Sequence, residues 1–262
     1  MRRNKLRELL DAGEPTIGTN LLSTWPSVVE AVGHTGMFDY VEFQAEYAPF
    51  HLYALDDFCR AVELFDMSSM IKIDQEPRRF LSQRAIGAGF QSVLFADCRS
   101  VEDVRECVRA VRPETPEAGG YHGAAVRRFS YMAYSDEPEY VDFLNDVVVA
   151  IMIEKKSAVD QVEEILAVEG VDLIQVGLTD YSISIGRPGA FKDDPEVKDV
   201  ERQIIEACHR TGVPIRATIG NADAVKQYLD LGVRHFSMGT DLFILHNWLK
   251  EHGDSLRKAI AG

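Results

Sequence analysis

The feature that most constrains the fold is an alternation between short apolar runs and longer stretches of helical period. Short apolar runs bounded by turn residues predict strands, and apolar residues at three- and four-residue spacing predict helices. Several runs are apolar on both faces, as expected for parallel strands that lie between two layers of side chains. The predicted strands are Thr16–Leu22, Tyr40–Gln44, Met70–Ile73, Ser92–Ala96, Val147–Ile153, Leu173–Val176, Pro214–Thr218 and His235–Met238.

Predicted helices occupy the intervals between these strands. Pro77–Ala88 begins with proline and is followed by glycine, and Val101–Val111 follows a capping Ser100. Strands alternating with helices in this way predict an α/β fold, a (β/α)8 TIM barrel, which we expect to form one domain over residues 1–262. An open doubly wound sheet is the alternative, and the lack of GxGxxG after the first strand counts against it. The other predicted helices are Pro26–Val32, Asp56–Phe65, Ala158–Val168, Pro195–Thr211, Ala222–Leu231 and Asp241–Ala261.

Composition narrows the class of partner. The chain has 28 basic and 42 acidic residues, a formal charge of −14, and no basic run, which argues against nucleic acid. The opening MRRNKLRELL lacks the apolar segment of a signal peptide, and no apolar run approaches the roughly 20 residues that span a bilayer. The four cysteines form no CxxC pair and the seven histidines no HExxH pattern, so we expect no zinc ribbon. Scattered cysteines are typical of reduced thiols, and we expect a cytoplasmic protein.

Glu154 and Asp180 are acidic residues at the ends of the fifth and sixth predicted strands. Because neighbouring parallel strands end at the same rim of a barrel, these two carboxylates are expected to lie side by side. A divalent cation with oxygen ligands suits that arrangement. A salt bridge with Lys155 or Lys156, or capping of a helix by Asp180, is the alternative that strand position alone leaves open.

Gly177, Leu178 and Thr179 form the turn that carries Asp180. A glycine at a strand end lets backbone N–H groups converge on an anion, which would suit a carboxylate held beside the metal. An ordinary loop between a strand and a helix is the alternative interpretation.

Further polar side chains follow the second and third predicted strands. Gln44, Glu46 and Tyr47 provide an amide, a carboxylate and a phenol, and Lys72 ends the third strand. A cation in that position could stabilise a developing oxyanion. A turn held by polar side chains, with Lys72 in a structural ion pair, is the alternative.

The longest interruption of the alternation runs from residue 112 to residue 139. Loops longer than about 12 to 15 residues in a compact domain are usually functional or disordered. Arg127 and Arg128 lie in this segment and are candidates for holding a second anionic group above the metal, although surface arginines are common.

Together these residues resemble the HpcH/HpaI aldolase family, the metal-dependent class II pyruvate aldolases that include 2-keto-3-deoxy-sugar-acid aldolases. The resemblance covers about Ile17 to Leu245. Its best segments are EYAP at Glu46–Pro49, where the family has EHAP, Ile153-Glu154, VEGVD at Val168–Asp172, and GLTDYS at Gly177–Ser182, where the family has GPADLS.

The resemblance implies that Glu154 and Asp180 are the protein ligands of Mg2+ or Mn2+, with Co2+ as a further possibility. It implies that backbone amides around Thr179 bind the carboxylate of a pyruvate-type substrate, and that the metal polarises the substrate's 2-oxo group. It also implies a homo-trimer or homo-hexamer in which subunits exchange the last helix, here Asp241–Ala261.

Three departures from the family pattern fall in the predicted site. Tyr47 stands where the family has histidine, Gln44 where it has aspartate, and Lys72 where it has arginine. Tyrosine, with an ordinary pKa near 10, is a poor general base at neutral pH, and lysine lacks the guanidinium fork. We expect the metal chemistry to be kept and the proton-transfer step to be altered.

The sequence therefore predicts a metal-dependent carbon–carbon lyase that acts on a small 2-oxo acid through a pyruvate-type enolate. Three alternatives remain open. The same site could run condensation, decarboxylation or elimination, Lys72 could form a Schiff base, or the chain could bind a 2-oxo acid without turnover.

Overall fold

The computed structural model of this chain describes residues 2–124 and 138–261. Within them, eight parallel strands close into a barrel in sequence order, and the first strand pairs with the last. The TIM barrel is therefore confirmed, and the open sheet is excluded because the strand ladder has no edge. The strands are β1 Thr16–Leu21, β2 Tyr40–Gln44, β3 Ser68–Ile73, β4 Ser92–Phe95, β5 Val148–Ile153, β6 Leu173–Val176, β7 Ile215–Ile219 and β8 His235–Thr240.

Helices surround the barrel, and a short first helix closes its N-terminal end. Leu6 and Leu10 of that helix pack with the barrel-interior side chains Tyr40, Met70 and Leu94. None of the described helices is both long and apolar enough to cross a membrane. The described helices are α1 Lys5–Asp11, α2 Pro26–Thr35, α3 Leu52–Val62, α4 Arg78–Ala88, α5 Val101–Val111, α6 Pro138–Asn145, α7 Lys156–Val159, α8 Val162–Leu166, α9 Leu178–Ser184, α10 Pro195–Thr211, α11 Val225–Asp230 and α12 Asp241–Ala261.

The two-residue period of the strands decides which polar side chains enter the barrel. Tyr40 of β2 faces the interior, so Glu42 and Gln44 face it too, and Met70 of β3 sets the same direction for Lys72. The side chains nearest the C-terminal ends of the strands therefore converge on one rim, which we call the C-terminal rim. The inward positions below them are filled by apolar groups and by buried polar side chains that are hydrogen bonded to one another.

The helices differ from the predicted ones in four places. The single helix predicted at Ala158–Val168 is two short helices, because the backbone at Gln161 leaves the helical region, with φ −119° and ψ 20°. The helix predicted to begin at Asp56 begins at Leu52, because the His51 ring accepts a hydrogen bond from the Ala54 N–H. Two further helices, α6 and α9, occupy stretches for which we predicted no helix.

The long connection after α5 starts at the N-terminal end of the barrel. The Arg112 guanidinium donates to the carbonyl oxygen of Val147, at the start of β5, at 2.7 Å. Further on, the Tyr121 ring stacks against Arg79 in the first turn of α4. Arg127 and Arg128 lie outside the described residues, so their position over the C-terminal rim stays a prediction.

Candidate active site

Glu154, the residue directly after β5, is a fully buried carboxylate with one unsatisfied oxygen. Its Oε1 accepts a hydrogen bond from the Asp97 backbone N–H at 2.7 Å. Its Oε2 is buried and has no hydrogen-bond partner among the described residues. Burial raises the pKa of Glu154 to about 7, and the single hydrogen bond from Asp97 offsets this only in part. A buried oxygen in this state requires a proton or a cation.

Gly177 allows the backbone to come close to that carboxylate. A Cβ atom at this position would lie 2.7 Å from the Glu154 Cβ and 2.8 Å from its Oε2. The reason for glycine here is therefore steric, since the backbone has an ordinary negative φ of −112°. Gly177 caps α9, and Leu178, Thr179 and Asp180 form its first turn. The amide hydrogens of such a turn have no acceptor within their own helix.

Asp180 lies on the same rim as Glu154, with its carboxylate partly exposed. Its negative charge contributes to the raised pKa of Glu154, which places the two carboxylates in electrostatic contact. The Lys155 ammonium lies 3.4 Å from Asp180 Oδ1 and 2.5 Å from Asp97 Oδ1. Asp180 therefore forms the alternative salt bridge with Lys155, although Lys155 lies closer to Asp97. Among the described residues no such bridge forms to Glu154.

Lys72, Glu46 and Tyr47 form a second cluster on the rim. The buried Lys72 ammonium lies 2.5 Å from Glu46 Oε2 and donates to the Tyr47 hydroxyl oxygen at 2.6 Å. Burial alone would lower the pKa of Lys72, but the charges and hydrogen bonds of Tyr47 and Glu46 outweigh it and raise that pKa. Burial raises the pKa of Tyr47 to about 12, with Lys72 opposing the change. At neutral pH the lysine is a cation and the tyrosine a proton donor.

Gln44 belongs to a different cluster from Tyr47 and Lys72. Its side-chain amide donates to Glu42 Oε1 at 2.5 Å and to Asn20 Oδ1 at 3.2 Å, inside the barrel. Glu42 in turn forms a fully buried ion pair with Arg216. This pair could not be predicted from the sequence, because its members lie on β2 and β7 and become neighbours only when the barrel closes.

The residues present fit a divalent cation. Mg2+ is commonly bound by one or two carboxylates, with substrate and water as the other ligands. Glu154 directly follows β5, and Asp180 lies in the helix that follows the neighbouring β6, so they provide two carboxylates at one rim. The described residues contain no cluster of three or more His, Cys, Asp or Glu side chains suited to a metal. A cation here would therefore keep several positions for substrate oxygens.

Asp97 is the rim residue that sequence reasoning missed. It follows β4 and adopts a left-handed backbone conformation with φ 56°, which aspartate tolerates better than most residues. That conformation directs its N–H to Glu154 while its carboxylate binds Lys155. The available signal was the rule already applied to Glu154, since Asp97 is also an acidic residue that directly follows an apolar strand.

A closed parallel barrel with charged side chains at its C-terminal rim places the chain in the TIM-barrel class, whose characterised enzymes carry their active sites at that rim. A model of the HpcH/HpaI aldolase/citrate lyase family matches residues 17–247. The chain belongs to this family.

Relatives with assigned names are similar over most of their length. A hydroxypyruvate/pyruvate aldolase from Roseovarius nubinhibens is 28% identical over 247 residues, which cover 92% of each chain. A 4-hydroxy-2-oxo-heptane-1,7-dioate aldolase from Escherichia coli is 28% identical, covering 92% of this chain and 90% of the relative. A solved structure of an HpcH/HpaI aldolase/citrate lyase family protein from Burkholderia cenocepacia superposes with a TM-score of 0.87 at 27% identity, covering 97% of this chain and 100% of that one.

Proposed function

We propose that this protein is a divalent-metal-dependent carbon–carbon lyase that acts on a small 2-oxo acid. The observation that carries the proposal is the buried Glu154 carboxylate. Its Oε2 has no described partner, and burial raises the pKa of the group. Glu154 and Asp180 would hold Mg2+, Mn2+ or Co2+. When bound, such a cation would polarise the substrate's 2-oxo group and favour the enolate that forms when the C3–C4 bond breaks.

The substrate carboxylate in this proposal binds at the start of α9. The amide hydrogens of Leu178, Thr179 and Asp180 have no acceptor in their own helix, and the helix dipole favours an anion there. Gly177 brings this turn close to Glu154, so the carboxylate and the 2-oxo group of one substrate can reach both. Arg127 stays a candidate for a second anionic group of the substrate.

Proton transfer falls to Tyr47, Lys72 and Glu46. The Tyr47 oxygen accepts a hydrogen bond from Lys72, and the phenolic hydrogen, which interacts with Glu46, is the proton that Tyr47 can donate. In the cleavage direction Glu46 takes the proton of the C4 hydroxyl, the C3–C4 electrons pass to the enolate, and Tyr47 protonates C3. Gln44 donates hydrogen bonds to Glu42 and Asn20, so its role is to position these side chains inside the barrel rather than to transfer a proton.

The central test measures pyruvate release from 4-hydroxy-2-oxo acids with Mg2+, Mn2+ or Co2+. We expect turnover by the wild type, loss by at least about 100-fold in Glu154→Gln, and a similar loss in Lys72→Met. Glu164→Gln, a carboxylate on the outer helix α8, is the control and should keep full activity. A folded, metal-loaded wild type that releases no pyruvate with any of the three metals would refute the lyase assignment.

A different reaction at the same site is favoured by one observation. A tyrosine with a pKa of about 12 keeps its proton at neutral pH and therefore cannot act as a base there, which suits condensation or decarboxylation as well as cleavage. A product screen with pyruvate and oxaloacetate separates these reactions. Tight binding of pyruvate or oxalate without any product would instead indicate a binding protein.

Schiff-base chemistry at Lys72 is disfavoured because the nucleophile must be a neutral amine. The charges around Lys72 raise its pKa and keep the ammonium form. Borohydride treatment with substrate is therefore expected to leave the mass of Lys72 unchanged, and a chelator is expected to abolish activity.

We further propose that α12 packs on a second copy of the chain, in a homo-trimer or homo-hexamer. Asp241 anchors its start by accepting hydrogen bonds from the Leu22 and Ser23 N–H groups. Beyond that point none of its described residues is buried, and Phe243 and Trp248 are more than half exposed. Light scattering should report an oligomer that Trp248→Glu weakens. The four cysteines are buried thiols that form no disulfide in the described structure, which supports a reducing, cytoplasmic location.

A further inference from the structure

Lys155 is a cation placed beside the two proposed metal ligands. It directly follows Glu154, its ammonium lies 3.4 Å from Asp180 Oδ1, and its side chain is only 13% exposed. A lysine has a flexible four-carbon stem, so its ammonium can move by several ångströms at small energetic cost. An ammonium close to Glu154 and Asp180 would compete with a divalent cation for the same oxygens.

Asp97 holds that ammonium to one side. The distance from Lys155 Nζ to Asp97 Oδ1 is 2.5 Å, clearly shorter than the distance to Asp180. The same Asp97 donates its backbone N–H to Glu154 Oε1. One residue therefore fixes one oxygen of Glu154 through its main chain and draws the competing cation away through its side chain. The left-handed backbone at Asp97 makes both contacts possible.

We infer that Asp97 is a positioning residue that retains Lys155 and so leaves Glu154 and Asp180 available to the metal. The inference rests on the proposed metal site. Without the Asp97 carboxylate, the Lys155 ammonium turns towards Asp180 and the buried Glu154 oxygen, the nearest remaining anions. The metal then has to displace it.

The test is a double-mutant cycle read by direct Mn2+ binding, measured by electron paramagnetic resonance of free Mn2+ without substrate. Asp97→Asn keeps a residue that tolerates the left-handed backbone and removes only the charge. We expect it to weaken Mn2+ binding by about ten-fold, a size typical of residues that support metal ligands. Lys155→Met should tighten binding by at least about three-fold, because the competing charge is gone.

The deciding variant is the double mutant. If Asp97 acts by retaining Lys155, its loss has no effect once Lys155 is methionine, so the double mutant binds Mn2+ within about two-fold of Lys155→Met alone. If the two charges act independently, the double mutant is weaker than Lys155→Met by the full factor seen in Asp97→Asn. That additive result would overturn the inference, as would weaker binding by Lys155→Met.

Lys156→Met is the matched control, since it removes the same charge one residue away. Lys156 lies on the exposed face and pairs with Asp160 at 2.5 Å, so Mn2+ binding should not change. A wild type with no saturable Mn2+ binding, or with binding that Glu154→Gln leaves unchanged, would refute the metal site and the inference together. Saturable, Glu154-dependent binding with an additive cycle would refute the inference alone.

Discussion

Two buried glutamates in the same barrel differ in how many of their carboxylate oxygens have a hydrogen-bond or ion-pair partner. Glu42, in the middle of β2, is paired with the Arg216 guanidinium through Oε2 and accepts from Gln44 through Oε1. Glu154, just past the end of β5, has a single hydrogen bond and a buried second oxygen without a described partner. Both oxygens of the Glu42 carboxylate have partners within the protein. The second oxygen of Glu154 requires a proton or a ligand, which is the property expected of a binding site.

The ion pair of Glu42 should produce the largest effect on stability. Arg216→Met leaves a buried carboxylate without its counter-charge, and we expect the free energy of unfolding to fall by about 3–5 kcal/mol. Urea denaturation measures the loss. The double variant Arg216→Met with Glu42→Gln should recover much of it, because no buried charge remains. A loss below about 1 kcal/mol in the single variant would contradict the contrast between the two glutamates.

Removing the charge of Glu154 should stabilise the metal-free protein, whereas breaking the ion pair of Glu42 destabilises it. Its pKa is about 7 in the folded protein against an ordinary value of 4.5, so the folded state holds a proton that the unfolded chain has released between these two values. Wild-type stability therefore falls as pH rises through this window, and the penalty is complete above about pH 7. Glu154→Gln lacks this penalty, and its advantage over the wild type should grow by up to about 3 kcal/mol between pH 4.5 and pH 8.

Urea denaturation with chelator at several pH values tests this expectation. If the wild type and Glu154→Gln keep the same difference in stability across the range, Glu154 has no raised pKa in the folded protein.

A bound metal should give the buried Glu154 oxygen the partner that both oxygens of Glu42 already have. At a Mn2+ concentration about 100 times the Kd, the wild type should gain about 2.7 kcal/mol in the free energy of unfolding, and Glu154→Gln should gain none. Because metal and proton compete for the same oxygen, Mn2+ affinity should increase by about ten-fold from pH 6 to pH 8. An equal gain in both proteins would place the metal elsewhere.

Gly177→Ala tests whether the close approach of the Gly177 backbone is needed at the Glu154 site. The new Cβ would press on the Glu154 carboxylate, and we expect a loss of about 1–3 kcal/mol together with weaker Mn2+ binding. Gly220→Ala is the matched control, because a Cβ there meets no atom within 4 Å and the backbone is not left-handed. Thermal unfolding and Mn2+ titration measure both effects. Unchanged Mn2+ binding in Gly177→Ala would separate this turn from the Glu154 site.

The departures of Tyr47 and Lys72 from the family pattern gain a physical meaning in the structure. In the sequence each substitution stands alone, Tyr47 as the loss of a base and Lys72 as the loss of a guanidinium fork. The structure shows the two new side chains bonded to each other at 2.6 Å, with Glu46 on the other side of the ammonium. Residue identity predicted that the cluster differs from the family. Only the geometry shows that Lys72 donates to the Tyr47 oxygen and pairs with Glu46, and that these contacts raise the pKa of Lys72.

The sequence by itself determined the barrel and the rim on which Glu154 and Asp180 lie, because strand period and strand end are local properties of the chain. It failed at Gln161, where one backbone angle interrupts a helix, and at Asp97, whose importance comes from contacts with residues almost 60 positions away. Tertiary structure alone decided which buried charge is satisfied. Glu42 pairs with Arg216, whereas the one described hydrogen bond to Glu154 comes from the Asp97 backbone N–H. Barrel closure brings these groups together across distances in the sequence that no local pattern encodes.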